Sequence, residues 1–207
     1  MVGDGMKALH KDFWMEIRKS KARFISIFLI VALGVAFFSG IQASSPDMRY
    51  SGDAYYEAAK LMDLKIQGTL GLTQRDVKAV SDIDGVELAE GGYSTDVMSG
   101  EDDARKVLHL EAISSNFNLL TADEGRIPKK SGEIFLDKPF AKNRGYKIGD
   151  TISVSEDGDS ELLKKTTYTV VGIGSSPLYI SFNRGNTTLG SGEVSGFGYI
   201  LPEDFEQ

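Results

Sequence analysis

The chain has no cysteine, so disulfides, thiol nucleophiles, iron–sulfur clusters and cysteine-containing zinc sites are excluded. Histidine is nearly as scarce. His10 and His109 are the only two, too far apart in the chain to form a paired-histidine metal motif such as HExxH. There is a single tryptophan, Trp14, and only five prolines among 207 residues. No GxxxxGK[ST] phosphate loop and no GxSxG nucleophile elbow occur, which removes ATP binding by that route and serine-hydrolase chemistry of that type. One stretch lacks charge altogether. Residues 24–46 contain no Asp, Glu, Lys or Arg.

Around that stretch the charge is distributed unevenly. Residues 1–23 carry six Lys/Arg against three Asp/Glu, a balance of +3, whereas residues 47–207 carry 17 against 27, a balance of −10. The net −7 and a pI near 4.9 argue against a nucleic-acid partner. A basic head, an apolar bar and an acidic body are the layout of a membrane-anchored, exported chain.

Phe24–Ala43 is apolar on every side except for Ser26, Ser39 and Gln42. As a helix, twenty residues span roughly 30 Å, the hydrocarbon thickness of a bilayer. Arg18, Lys19, Lys21 and Arg23 crowd its N-terminal flank, and the next charge is Asp47. The positive-inside rule then puts the N-terminus in the cytoplasm and residues from about 47 outside. A signal peptide cleaved after Ala43 is the alternative; the run is longer than the usual h-region, which favours an uncleaved anchor. Upstream, Met6, Leu9, Phe13 and Ile17 recur at helical spacing beside Trp14, as in an amphipathic helix lying on the inner membrane face.

The expected segments are therefore a cytoplasmic basic segment (1–23), a transmembrane helix (24–46), a helical stalk (47–62) and an extracytoplasmic α+β domain (63–207). Tyr50, Ala54, Ala58 and Leu61 form the stalk's stripe, weakened at Ser51–Gly52. Residues 61–67 alternate like a strand, Thr73 caps a short helix with Val77, Val80 and Ile83 inward, and a second strand runs from Val86 to Val97, together a β-α-β unit. Strands are expected at 106–113, 133–137, 151–155, 166–173 and 197–201, with a short helix around 138–142 and a helical turn or loop at 116–120. Gly145, Gly149, Gly158, Gly172 and Gly174 are read as turn positions. The ending just after a strand reads as a domain that continues further.

Chemistry is sparse in this body. His109, between Leu108 and Leu110, reads as a half-exposed strand residue and not a general base. The acidic run Ser155–Glu161 lacks EF-hand spacing and reads as a solvated hairpin loop. Gly172–Ile–Gly174 is followed by Ser–Ser–Pro instead of a helix, so a nucleotide loop fails there. Leu178, Tyr179, Ile180 and Phe182 read as core, with an exposed contact patch as the alternative. Asn186–Thr–Thr188 is a bare glycosylation sequon. No catalytic, cofactor-binding or metal residue is assigned. A carboxylate-based cell-wall enzyme has no sequence feature in its favour beyond acidity.

KALHKDFWMEIRKSKARFISIFLIVALGVAFFSGIQASSPDMR resembles the first membrane segment of FtsX/MacB-like ABC transporter permeases, particularly the large Gram-positive ones. The resemblance continues through LMDLKIQGTLGLTQRDVKAVSDIDGVE, GRIPKKSGEIFLDKPFAKNRGYKIGDTISVS and YTVVGIGSSPLYIS. GRxPxxxxEIxLD followed by GxKxGDxI is the most specific part. The resemblance implies a MacB-like extracytoplasmic core domain, a cytoplasmic ABC ATPase as partner, the lipid bilayer, and an extracytoplasmic protein or small molecule engaged by the outer domain. It also implies mechanotransmission: ATP-driven helix motion passed outward. The family needs further transmembrane helices, so the chain reads as the N-terminal part of a longer permease or a short form. A self-contained, membrane-anchored or secreted ligand-binding or scaffolding module of the cell envelope is the alternative.

Overall fold

The computed structural model describes residues 3–100, 105–156, 162–181 and 183–206, with side chains from His10 onward. It divides into two compact units, Met1–Tyr55 and Tyr56–Gln207. In the first, α1 (Gly3–Lys19) ends at Ser20, whose hydroxyl donates to the Glu16 carbonyl at 2.9 Å. Phe13 and Trp14 are exposed on it; Met6 and Leu9 of the expected apolar stripe lie outside the described side chains. α2 (Lys21–Ala58) is one helix of 38 residues, about 57 Å long at 1.5 Å per residue. It runs through Pro46 and through Ser51–Gly52 without a break. Its most apolar window has a mean hydropathy of 2.6, and none of its residues is buried. Among the described residues it is the one helix long and apolar enough to cross a membrane.

In the second unit, the chain leaves the helix at Lys60, which takes a left-handed φ of 49°. The N–H groups of Asn118 and Leu119 donate to the carbonyls of Lys60 and Ala59, at 2.9 and 2.8 Å. α3 (Gln74–Ser81) starts at Thr73, whose N–H and hydroxyl both donate to Asp76 at 2.7 Å. Among the described residues seven strands follow: β1 (Ser94–Ser99), β2 (Lys106–Ala112), β3 (Thr121–Gly125), β4 (Glu133–Asp137), β5 (Thr151–Ser155), β6 (Thr167–Ser175) and β7 (Gly196–Ile200), with α4 (Lys138–Arg144) between β4 and β5. The fold class is α+β.

The sheet order β3-β6-β4-β7-β2-β1-β5 closes on itself, because β5 also pairs with β6. Six strands thus form a ring, with β3 added at the outer half of β6. Two pairings, β4–β6 and β2–β7, are parallel; the rest are antiparallel. Alternation sends Val97, Leu108, Leu110, Ile134, Leu136, Ile152, Val170 and Ile200 into one core cluster. Phe135, Phe197 and Tyr199 form a second cluster, under Val194 and Tyr179. Phe140 of α4 lies against Gly196, so closely that a Cβ there would overlap the ring.

Four expectations need correction. Residues 61–67 form no strand, and the second strand begins at Ser94 instead of Val86, so no β-α-β ladder exists. Ile83 is 57% exposed, not inward; Val77 and Val80 are half-buried. Gly172 and Gly174 are not turn residues but lie within β6. A Cβ at Gly172 would meet the Arg126 carbonyl and the Phe135 ring, and one at Gly174 the Thr121 carbonyl and the same ring. Gly145 and Gly149 do turn the chain, at φ 76° and 95°; Gly158 lies outside the described residues.

Candidate functional surface

The motif that looked most specific in the sequence is used by the fold. In GRIPKKSGEIFLD, Gly125 takes φ +72° and Arg126 forks onto Glu133, Nη1 to Oε2 at 2.7 Å and Nη2 to Oε1 at 2.5 Å. Glu133 Oε2 also accepts the N–H groups of Lys129 and Lys130, at 2.8 and 3.2 Å. These contacts hold the Glu133 carboxyl down at a pKa of about 2, the Arg126 hydrogen bond contributing most. In GYKIGDTI, Asp150 accepts the Lys147 N–H at 2.8 Å and Ile152 enters the ring core. Arg126, Glu133 and Asp150 are thus committed to shaping turns.

Asp137, the last motif residue, sits at the N-cap of α4 and accepts the Phe197 N–H from β7 at 2.9 Å. Arg184 approaches its other oxygen at 2.8 Å and lies over the Phe197 ring, 5.2 Å from the centroid. Burial pushes the Asp137 pKa up, while the Phe197 N–H and Arg184 pull against it. Arg184 belongs to a strap between β6 and β7, whose described residues 176–181 and 183–195 include Tyr179 and Arg184 packed on Phe197 of β7. Tyr179 of the strap stacks on Phe197 at 3.6 Å between centroids. Tyr179 and Tyr199 have raised pKa values, burial being the largest cause in each.

His109 lies beside Phe197 in the β2–β7 register and opposite Asp96 in the β1–β2 register. Its Nδ1 is 2.6 Å from Asp96 Oδ1, and both Tyr179 and Phe197 meet its ring edge-on. The side chain is 20% exposed. A His–Asp pair recurs in hydrolases, where a nucleophile completes it. Here two aromatic rings pack against the imidazole, which makes it a strand residue locked by its neighbours. Asp96 as its partner had no signal in the sequence, since strand register is not legible there. Tyr179 is packed as expected, whereas Ile180 is 63% exposed and Phe182 lies outside the described residues. The Asp157–Glu161 part of the acidic loop also lies outside them. Among the described residues, no group of three His, Asp or Glu is placed to hold a metal ion.

A second feature is a groove of about 170 Å³ between residues 62–66 and 90–94, floored by Glu111, Phe117 and Tyr199. Lys65 reaches across to Glu111 Oε1 at 3.1 Å, and Glu90 accepts from Ser114 and Asn116 at 2.9 and 2.8 Å.

The described residues comprise a membrane-length helix and an α+β domain. The sequence profile of the MacB-like periplasmic core domain matches residues 24–202, and the chain belongs to that family. The extracellular domain of the noncanonic ABC-type transporter YknZ from Gram-positive bacteria shares 13% identity over 65% of this chain and 64% of that one, with a TM-score of 0.41. The periplasmic region of MacB from Actinobacillus actinomycetemcomitans shares 15% over 66% of this chain and 56% of that one, with a TM-score of 0.38. The chain therefore matches less than two thirds of the length of either. No curated protein sequence matches it. The family assignment rests on the profile.

Proposed function

We propose that the chain supplies the first membrane helix and the extracytoplasmic domain of an ABC transporter permease subunit, with no catalytic chemistry of its own. The observation that carries this reading is the succession of a helix whose residues 24–46 are uncharged and of membrane length, and a family domain in which Arg126, Glu133 and Asp137 are engaged in internal contacts. In this reading residues 1–23 are cytoplasmic, 24–46 span the bilayer, 47–62 form the stalk and 63–207 lie outside. A cytoplasmic ATPase subunit moves the membrane helices, α2 carries the motion outward, and the domain engages a substrate or envelope partner.

The test uses an antibody against residues 63–207 on detergent-solubilised membranes of the source cell. The expected result is a carbonate-resistant band that co-purifies with an ABC ATPase and with ATP hydrolysis. A soluble band smaller than 22.5 kDa would mean cleavage near Ala43 and would remove the transporter reading. A membrane-bound chain that captures a ligand with no ATPase attached would establish the self-contained binding module instead.

A further inference from the structure

The acidic body contains one stretch of the opposite sign. Residues 126–147 hold seven Lys/Arg against two Asp/Glu, a balance of +5, whereas residues 47–207 as a whole stand at −10. The fold sharpens this contrast by withdrawing both acids. Glu133 is held by Arg126 and the Lys129 and Lys130 N–H groups, and Asp137 by the Phe197 N–H and Arg184. Their side chains are only 14% and 7% exposed. Lys138 is paired with Asp123. Lys129, Lys130 and Lys147 are exposed and make no ion pair among the described residues. Neither does the exposed Lys165, which comes to the same turn from just before β6. Its Nζ lies 3.1 Å from where a Cβ on Gly132 would stand.

Beside these lysines lies an apolar hollow. β4 takes one edge of β6; along the other, β5 pairs with residues 167–169 and β3 with 172–175. The gap between those two ladders is left to two turns. Gly125–Arg126 lines one side of the hollow and Ile148–Gly149 the other, with Val171 between them. The peptide groups there are satisfied, since Gly149 and Arg126 donate to the Val170 and Val171 carbonyls at 2.8 and 2.9 Å. The hollow therefore has room for a side chain and no use for a further strand. Ile148 is 43% exposed in it. The acids that border it in the chain are Glu124 and Asp150; Asp150 is turned onto the Lys147 N–H at 2.8 Å, and the four lysines outnumber both. We propose that this surface docks an acidic segment of a partner protein that presents an apolar residue among its carboxylates. The apolar side chain covers Ile148, while carboxylates approach Lys129 and Lys130 on one flank and Lys147 on the other. A phosphate polymer or a layer of lipid headgroups would match the charge and leave the hollow empty. The proposal gives the envelope partner of the preceding reading a chemistry, and rests on that reading for placing the surface outside the membrane.

The probe is an acetylated heptapeptide, one leucine between two runs of three glutamates, titrated into the full chain in micelles of an uncharged detergent. At about 50 mM salt the expected result is saturable binding with a Kd below about 1 mM, weakened about tenfold or more at about 500 mM. Changing Lys129, Lys130, Lys147 and Lys165 together to Gln, all at exposed positions, is expected to weaken binding about tenfold with Tm unchanged. On the unaltered chain, replacing the peptide's leucine with serine is expected to cost about fivefold, and Ile148→Ser to erase that preference. No saturation up to about 1 mM peptide would overturn the proposal. So would unchanged binding by the four-lysine variant, or equal binding of the serine peptide to the unaltered chain. Tighter binding of a polyphosphate of matched charge would overturn it too, and would assign the surface to phosphate chemistry. Peptide binding by a chain that brings down no ATPase would keep this surface and remove the permease reading; ATPase capture without peptide binding would do the reverse.

Discussion

The peptide N–H of Phe197 donates to Asp137 Oδ1 at 2.9 Å, tying β7 to the junction of β4 and α4. The same carboxylate faces Arg184, which covers the Phe197 ring, so one acid anchors two strands, a helix start and the strap.

Arg184→Met should therefore cost about 3–5 kcal/mol near neutral pH, the range for breaking a buried pair and leaving its charge behind. Burial already raises the Asp137 pKa, and without Arg184 it rises further. An acid with a raised folded-state pKa is tolerated best below its unfolded value and costs stability as pH rises through the folded one. The loss in Arg184→Met should accordingly shrink as pH falls. Denaturant unfolding at a series of pH values checks this; a loss independent of pH would contradict it.

Glu133 has the opposite sign. Its pKa is lowered to about 2 from 4.5, so its contribution is present above about 4.5 and disappears as pH falls towards 2. Glu133→Gln should lower Tm at neutral pH and flatten the Tm profile across that window. Thermal unfolding followed by circular dichroism would show it, and parallel profiles for the two proteins would count against it.

Within β6, Gly174→Ala should destabilise by about 1–3 kcal/mol, because its Cβ would strike the Thr121 carbonyl and the Phe135 ring. Pairing it with Phe135→Leu should recover only part of the loss, since the carbonyl stays in place. A neutral Gly174→Ala in urea titration would mean that β3 is free to move away.

Replacing Arg18, Lys19, Lys21 and Arg23 with Glu should invert or block insertion of α2. Protease added outside spheroplasts should then cut residues 63–207 far less than in the unaltered chain. Unchanged cleavage would refute the topology.

How much of this could be read beforehand depends on where each signal comes from. The membrane-length helix was legible because hydropathy is a property of the segment alone. β2, β5 and the first half of β6 were legible from alternation, as in Leu108–Leu110 against His109–Glu111, whereas β4 and β7, buried almost throughout, were legible as short apolar runs. β3, Thr-Ala-Asp-Glu-Gly, was not, because all five residues are exposed and only pairing with β6 makes it a strand. Residues 61–67 show the reverse error: the alternation is real, but the pairing partner is missing. Gly172 and Gly174 looked like turns because close packing against Phe135 leaves no trace in the sequence. The His109–Asp96 contact needed a register that no local pattern supplies.

Ala59, where the chain leaves α2, is bonded to Leu119 beyond the end of β2, and Phe205 is stacked on Tyr93 just before the adjoining start of β1. These two points therefore lie at one rim of the ring. A load applied between these two points would peel hydrogen bonds singly from that rim instead of shearing whole ladders at once. In a single-molecule pulling experiment between these two points the domain should yield at low force.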